Sequence, residues 1–271
     1  MRQKRLHKTK MKEIITIINE KGGVAKSTTA LNLAVALRNK GKRAIIIDLD
    51  PQKSLSKGIG VATEEEPALT IADVLYDDTD SVNIKDAVIH TDFIDLISGS
   101  STLANFDAVM YEVPGKELRL RELLKGLYDD YEYIIIDTPP QRSTLTISAL
   151  TACTDVIIPV MADQGSLDST DELGRTIAKI RKYTNPGLRV RGILYTRVNP
   201  QTVLLQVLKE DAAKYAERLN SKVFNTSIRA TIAVGEANRM RVDLFTYDRN
   251  STASHDYISF VNEYLADSDK L

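Results

Sequence analysis

Two lysines five residues apart frame a glycine turn in Lys21-Gly22-Gly23-Val24-Ala25-Lys26-Ser27-Thr28. A phosphate chain concentrates negative charge, so a loop that binds it must aim backbone N–H groups inward. Gly22 and Gly23 permit that approach because no Cβ stands in the way. A helix opening near Ser27 adds its positive N-terminal end. In such a loop Lys26 reaches the β and γ phosphates and the Ser27 hydroxyl ligates Mg²⁺. Thr28 offers a further hydroxyl and amide near the α phosphate. The strict pattern G-x-x-x-x-G-K-[ST] is not met, because Glu20 and Ala25 occupy its two glycine positions. A left-handed backbone at Ala25 would cost on the order of 1 kcal/mol. The expectation is a near-helical Ala25, for which the cost is small.

Two acidic strand ends complete the chemistry. Asp137 closes the apolar run Tyr133–Ile136 and precedes Thr138-Pro139-Pro140. Asp50 follows the run Ala44–Ile47 in Asp48-Leu49-Asp50-Pro51-Gln52. Ligands of α/β sheets sit beyond the carboxyl ends of the strands. Asp137 is therefore expected to hold Mg²⁺ through water, and Asp50 to orient or activate the attacking water. Asp48 either supports the metal shell or caps its strand.

These residues meet only if an alternating fold brings them together. Short apolar runs at Ile14–Ile18, Ala44–Ile47, Ile94–Ile97, Tyr133–Ile136, Val156–Val160 and Val190–Tyr195 read as strands, with a weaker one at Val223–Ile228. Several are unbroken, as for parallel strands covered on both faces. Helices are expected at Thr28–Lys40, Ile71–Tyr76, Lys116–Tyr128, Leu145–Cys153, Ser169–Tyr183, Val203–Leu219 and His255–Ala266. The alternation predicts an α/β fold: one doubly wound, mostly parallel sheet with helices on both faces. Residues 13–271 form one domain and residues 1–12 a basic flexible tail.

The loop resembles the deviant Walker A motif, K-G-G-x-x-K-[ST], of ParA/MinD-type P-loop ATPases. Asp48-Leu49-Asp50-Pro51-Gln52 is similar to that family's second motif, and Ile134–Pro140 to its Walker B strand and switch. The resemblance extends over most of residues 12–266 and leans toward ParA-type DNA-segregation ATPases. It implies the P-loop NTPase fold, ATP with Mg²⁺, and hydrolysis to ADP and phosphate. It also implies an ATP-sandwich homodimer in which Lys21 reaches the partner's phosphates and stabilises the transferred group. The family's late loop, often Ile-Pro-Arg-Asn, reads here Ser227-Ile228-Arg229-Ala230. Arg197 and Asn199 are then candidates for base or ribose contacts.

Charge and composition narrow the biology. A chain of 271 residues, 43% hydrophobic, can bury a full core. No stretch approaches the roughly 18 apolar residues of a membrane span. One cysteine, Cys153, excludes an internal disulfide and any Cys-x-x-Cys site. The net charge of −1 hides segregation: residues 181–249 hold thirteen Lys/Arg against six acids. Arg189, Arg191, Arg218, Lys222, Arg229, Arg239, Arg241 and Arg249 could track a phosphate backbone.

Together with the resemblance, this predicts a cytoplasmic, nucleoid-associated ATPase for plasmid or chromosome partition. Its ATP-dependent dimer would bind DNA without sequence preference, and a ParB-like centromere-binding partner would stimulate hydrolysis. One alternative is a MinD-like membrane-associated positioning ATPase, which the acidic C-terminal helix disfavours. Another is a nucleotide-gated scaffold with little turnover.

Overall fold

The computed structural model describes residues 11–62, 66–79, 81–199 and 203–268, without the side chains of 164–169, 203, 204 and 206. Residues 1–10 of the basic tail, and Glu64 and Glu65, lie outside the described residues. The strands are β1 (Glu13–Ile17), β2 (Ala44–Asp48), β3 (Val88–His90), β4 (Asp95–Ile97), β5 (Tyr133–Asp137), β6 (Asp155–Val160) and β7 (Arg189–Tyr195). The first helices are α1 (Lys26–Asn39), α2 (Ser54–Gly58), α3 (Ile71–Tyr76), α4 (Phe106–Val109), α5 (Lys116–Leu124) and α6 (Thr144–Ala152). They are followed by α7 (Gln164–Tyr183), α8 (Val203–Arg218), α9 (Ala233–Met240), α10 (Leu244–Tyr247) and α11 (Thr252–Ser268).

The strands form one sheet in the order β3-β4-β2-β5-β1-β6-β7, parallel except for β3. Both faces are dry. Ile14, Ile45, Ile47, Ile134 and Ile136 point into the core beneath α5, α6, α7 and α8. Ile15, Ile17, Ile46 and Ile135 point into the core beneath α1 and α11. Successive side chains of a strand face opposite ways, so two covered faces require continuous apolar runs. Each fully buried isoleucine contributes roughly 1.5–3 kcal/mol relative to an exposed one.

Register aligns the chemistry. Ile17 of β1 and Asp48 of β2 both pair with Asp137 of β5, so the three strands end at one level. The glycine turn after β1 and both acidic motifs leave the sheet from that edge.

Three expectations are corrected. The Val223–Ile228 run makes only isolated bridges, Ile193 to Val223 and Val198 to Arg229. The Asn225 and Thr226 amides donate instead to the Glu263 carboxylate of α11, each at 2.9 Å. Strand β3, an antiparallel edge of three residues, was not expected. Neither were α2, α4, α9 and α10, all of eight residues or fewer.

Candidate nucleotide-binding site

The turn after β1 is braced from below. The Asn19 amide donates to Pro159 O at 2.8 Å, and its Oδ1 accepts the Lys21 N–H at 2.9 Å. Thr138 Oγ1 donates to Ile17 O at 2.9 Å. Thr196 Oγ1, at the end of β7, donates to Val24 O at 3.0 Å. Asn19 and Thr196 were missed in the sequence, where a lone polar residue after a strand carries no distinguishing spacing.

Gly23 and Ala25 both have left-handed backbones, at φ 78° and φ 63°. The near-helical Ala25 expected from the sequence is therefore wrong. The chain must turn its amides inward immediately before Lys26, and alternating left- and right-handed residues do this. Helix α1 then begins at Lys26, with no side-chain cap and no acid in its first turn. Its leading N–H groups remain available for an anion.

Lys26 is buried, and its ammonium donates to Lys21 O at 3.0 Å. Burial pulls its pKa down, while the charges of Asp137 and Asp50 oppose that shift. Asp137 is 0% exposed, and neither carboxylate oxygen has a hydrogen-bond partner among the described residues. Burial holds its pKa well above the usual carboxylate range, with the charge of Asp48 as the next cause. The Ser27 hydroxyl and Lys26 act in the opposite direction. A bare buried carboxylate costs free energy unless a cation meets it. The Ser27–Asp137 pair thus fits a hard divalent ion with oxygen ligands.

Asp48 resolves the other way. Its Oδ1 accepts the Asp50 N–H at 3.1 Å, while Oδ2 accepts the Ser56 N–H at 3.0 Å and the Ser56 hydroxyl at 2.6 Å. Burial pushes its pKa up to about 6 against those hydrogen bonds. Both oxygens are occupied in fixing the turn into α2, so Asp48 caps its strand. That turn carries Asp50, whose Oδ1 accepts the Gln52 N–H at 2.9 Å.

A cavity of about 1330 Å³ opens over these groups. Gly22, Gly23, Ala25, Lys26, Ser27, Thr28 and Asp50 give it a polar lining. Leu31, Ile228, Val234, Ala237, Leu244 and Tyr257 add apolar surface suited to a flat ring. Arg197 lines the cavity and Asn199 does not, so only the first is placed to meet a base or ribose. Helix α9 supplies much of the lining. It eluded the sequence reading because Thr231, Ile232, Val234 and Gly235 depress helix propensity.

Lys21 lies elsewhere. Its ammonium is paired with Asp163, in the turn after β6, and Lys21 does not line the cavity.

The basic block divides. Arg189 and Arg191 pair with Asp155 and Glu13 beside the buried Tyr264. Lys222 pairs with Glu263 and Asp267, Arg229 with Asp256, and Arg218 with Asp171. Arg239, Arg241 and Arg249 are exposed and make no ion pair among the described residues. The apolar face of α11, with Tyr257, Phe260, Val261 and Tyr264, is buried in the core. No described helix is long and apolar enough to cross a membrane.

Known proteins resemble the chain over most of its length. The family described as "AAA domain" matches residues 12–190. The chain is 34% identical to the sporulation initiation inhibitor protein Soj of Bacillus subtilis, over 94% of this chain and 99% of that one. It is 30% identical to the chromosome partitioning protein ParA of Caulobacter vibrioides, over 93% and 94%. Among solved structures, cobyrinic acid a,c-diamide synthase of Mycobacterium smegmatis, with a bound ATP analog and magnesium, superposes with a TM-score of 0.78. The identity is 28%, over 93% of each chain.

Proposed function

Because the chain belongs to the Soj/ParA family of AAA-domain P-loop ATPases, we propose that it hydrolyses ATP to drive partition of a plasmid or chromosome. The observation that carries this reading is the unpartnered Asp137 carboxylate beside Ser27, at the uncapped start of α1. Ser27 and Asp137 would hold Mg²⁺, with ATP phosphates cradled by residues 22–28. The metal would neutralise charge on the β and γ oxygens. Lys26 would move from Lys21 O to those phosphates, exchanging a neutral acceptor for a charged one. Asp50 would orient the attacking water.

Lys21 would act in trans, on the triphosphate of a second copy. Its position outside its own cavity supports that role, as does a cavity exceeding the roughly 300–1,000 Å³ usual for a small-molecule pocket. Dimerisation would double any DNA contact, so nucleotide state would set DNA affinity through multivalency. We assign the DNA contact to Arg239, Arg241 and Arg249, the three of the eight named cations that make no ion pair among the described residues. A ParB-like protein would stimulate hydrolysis and release, at the nucleoid.

The test is sedimentation and salt-titrated DNA binding without nucleotide, with ADP, and with ATP. Dimers and DNA binding should appear together with ATP alone. A chain that stays monomeric with MgATP at every protein concentration would remove the sandwich from the reading.

A further inference from the structure

The side chain of Lys21 has a choice that its backbone does not. Its N–H is pinned to Asn19 and its carbonyl accepts Lys26, so the main chain is fixed on both sides. Gly22, Gly23, Ala25, Lys26, Ser27 and Thr28 line the cavity, and Val24 is buried beneath the loop. Only the lysine stem, four flexible carbons long, decides where the ammonium goes. Here it goes to Asp163. That residue closes a tight turn after β6, with its N–H donating to Met161 O at 2.8 Å, immediately before α7.

We infer that Asp163 is a positioning residue that holds Lys21 out of its own subunit's phosphate site and so reserves it for a second copy. The inference rests on the trans role proposed above. Without a local carboxylate, Lys21 and Lys26 would converge on the same triphosphate. That contact lies within one chain and would outcompete a contact requiring a second molecule. The side chains of Lys21 and Asp163 are 35% and 38% exposed, so solvent keeps their pairing weak enough to exchange for a more highly charged phosphate.

Two measurements decide it, both with a non-hydrolysable ATP analogue and Mg²⁺. One is analogue affinity at protein concentrations where the chain is monomeric; the other is sedimentation velocity across protein concentration. Asp163→Asn should tighten monomer binding and weaken analogue-dependent dimerisation, each by roughly two- to fivefold, the range of an exposed ion pair. Asp163→Glu should restore wild-type values. In a Lys21→Ala background, Asp163→Asn should change neither quantity, whereas a merely structural role would persist there. Unchanged monomer affinity in Asp163→Asn, or an effect that survives Lys21→Ala, overturns the inference. Equal dimerisation by wild type and Lys21→Ala overturns the trans reading itself, and the monomer measurement then judges Asp163 alone.

Discussion

Ala25 holds a left-handed backbone at the entrance to α1, where an L-residue is strained by roughly 1–2 kcal/mol. Glycine would relieve that strain but lose more freedom on folding. Ala25→Gly should therefore stabilise by about 0.5–1 kcal/mol and raise Tm by roughly 1–3 °C. A near-helical Ala25 would give a lower Tm instead, so one thermal melt separates the two conformations. The carboxylates below carry a second prediction. Asp48 titrates near 6 in the folded chain, above its ordinary 3.8. The folded state then binds more protons, so this group's stability is fully present below about pH 4 and is lost as pH rises through about 6. Asp137, raised by burial and by Asp48, works in the same direction. Asp137→Asn should flatten the fall in Tm as pH rises through about 6, where Asp48 titrates, and abolish Mg²⁺-dependent nucleotide binding. An unchanged slope in melts of the variant would remove the pair as its source. The sequence made most of this visible, because Lys26, Ser27, Asp50 and Asp137 are marked by spacing and by strand ends. It could not show the φ of Ala25, which depends on where the loop must aim its amides.

At the scale of elements, legibility followed apolar burial rather than length, since the short β4 and α3 were also expected where they lie. The long apolar runs β1, β2, β5, β6 and β7 appear within one or two residues of their expected places, because burial on both faces writes itself into composition. The three-residue β3 and five-residue α2 leave no period to read. Helix α2 owes its start to Asp48, a contact across the turn rather than along the helix. Gly99 shows how closely these elements approach. A Cβ there would lie 3.0 Å from the backbone oxygens of both Asp48 and Asp50, atoms that cannot rotate away. Gly99→Ala should cost roughly 1–3 kcal/mol by overpacking. The displaced turn carries Asp50, so phosphate release should slow as well. A denaturation midpoint and a steady-state phosphate assay on the same sample test both. Wild-type values in both would mean that the end of β4 can give way.

For the whole molecule, net charge is a poor guide to where a polyanion binds, and so is the basic block read as a block. Five of its eight residues named above are neutralised by acids brought from elsewhere in the chain. No sequence spacing announces that Arg191 lies beside Glu13, or Arg229 beside Asp256. Those pairs answer to the fold. Removing Arg229 should act first on stability, since it strands the largely buried Asp256 and the backbone contacts around it. Arg241 and Arg249 should act on binding. Every phosphate that a subunit no longer neutralises lowers the slope of log affinity against log salt by about 0.9 on duplex DNA. Arg241→Ala with Arg249→Ala should therefore reduce that slope by roughly 2 per subunit, with equal weakening on unrelated sequences. Arg218→Ala, which leaves Asp171 paired with Arg175, should change it far less. A double variant that keeps the wild-type slope, while an Arg218 variant flattens it, would move the DNA surface from α9 and the α10–α11 turn to the face of α8.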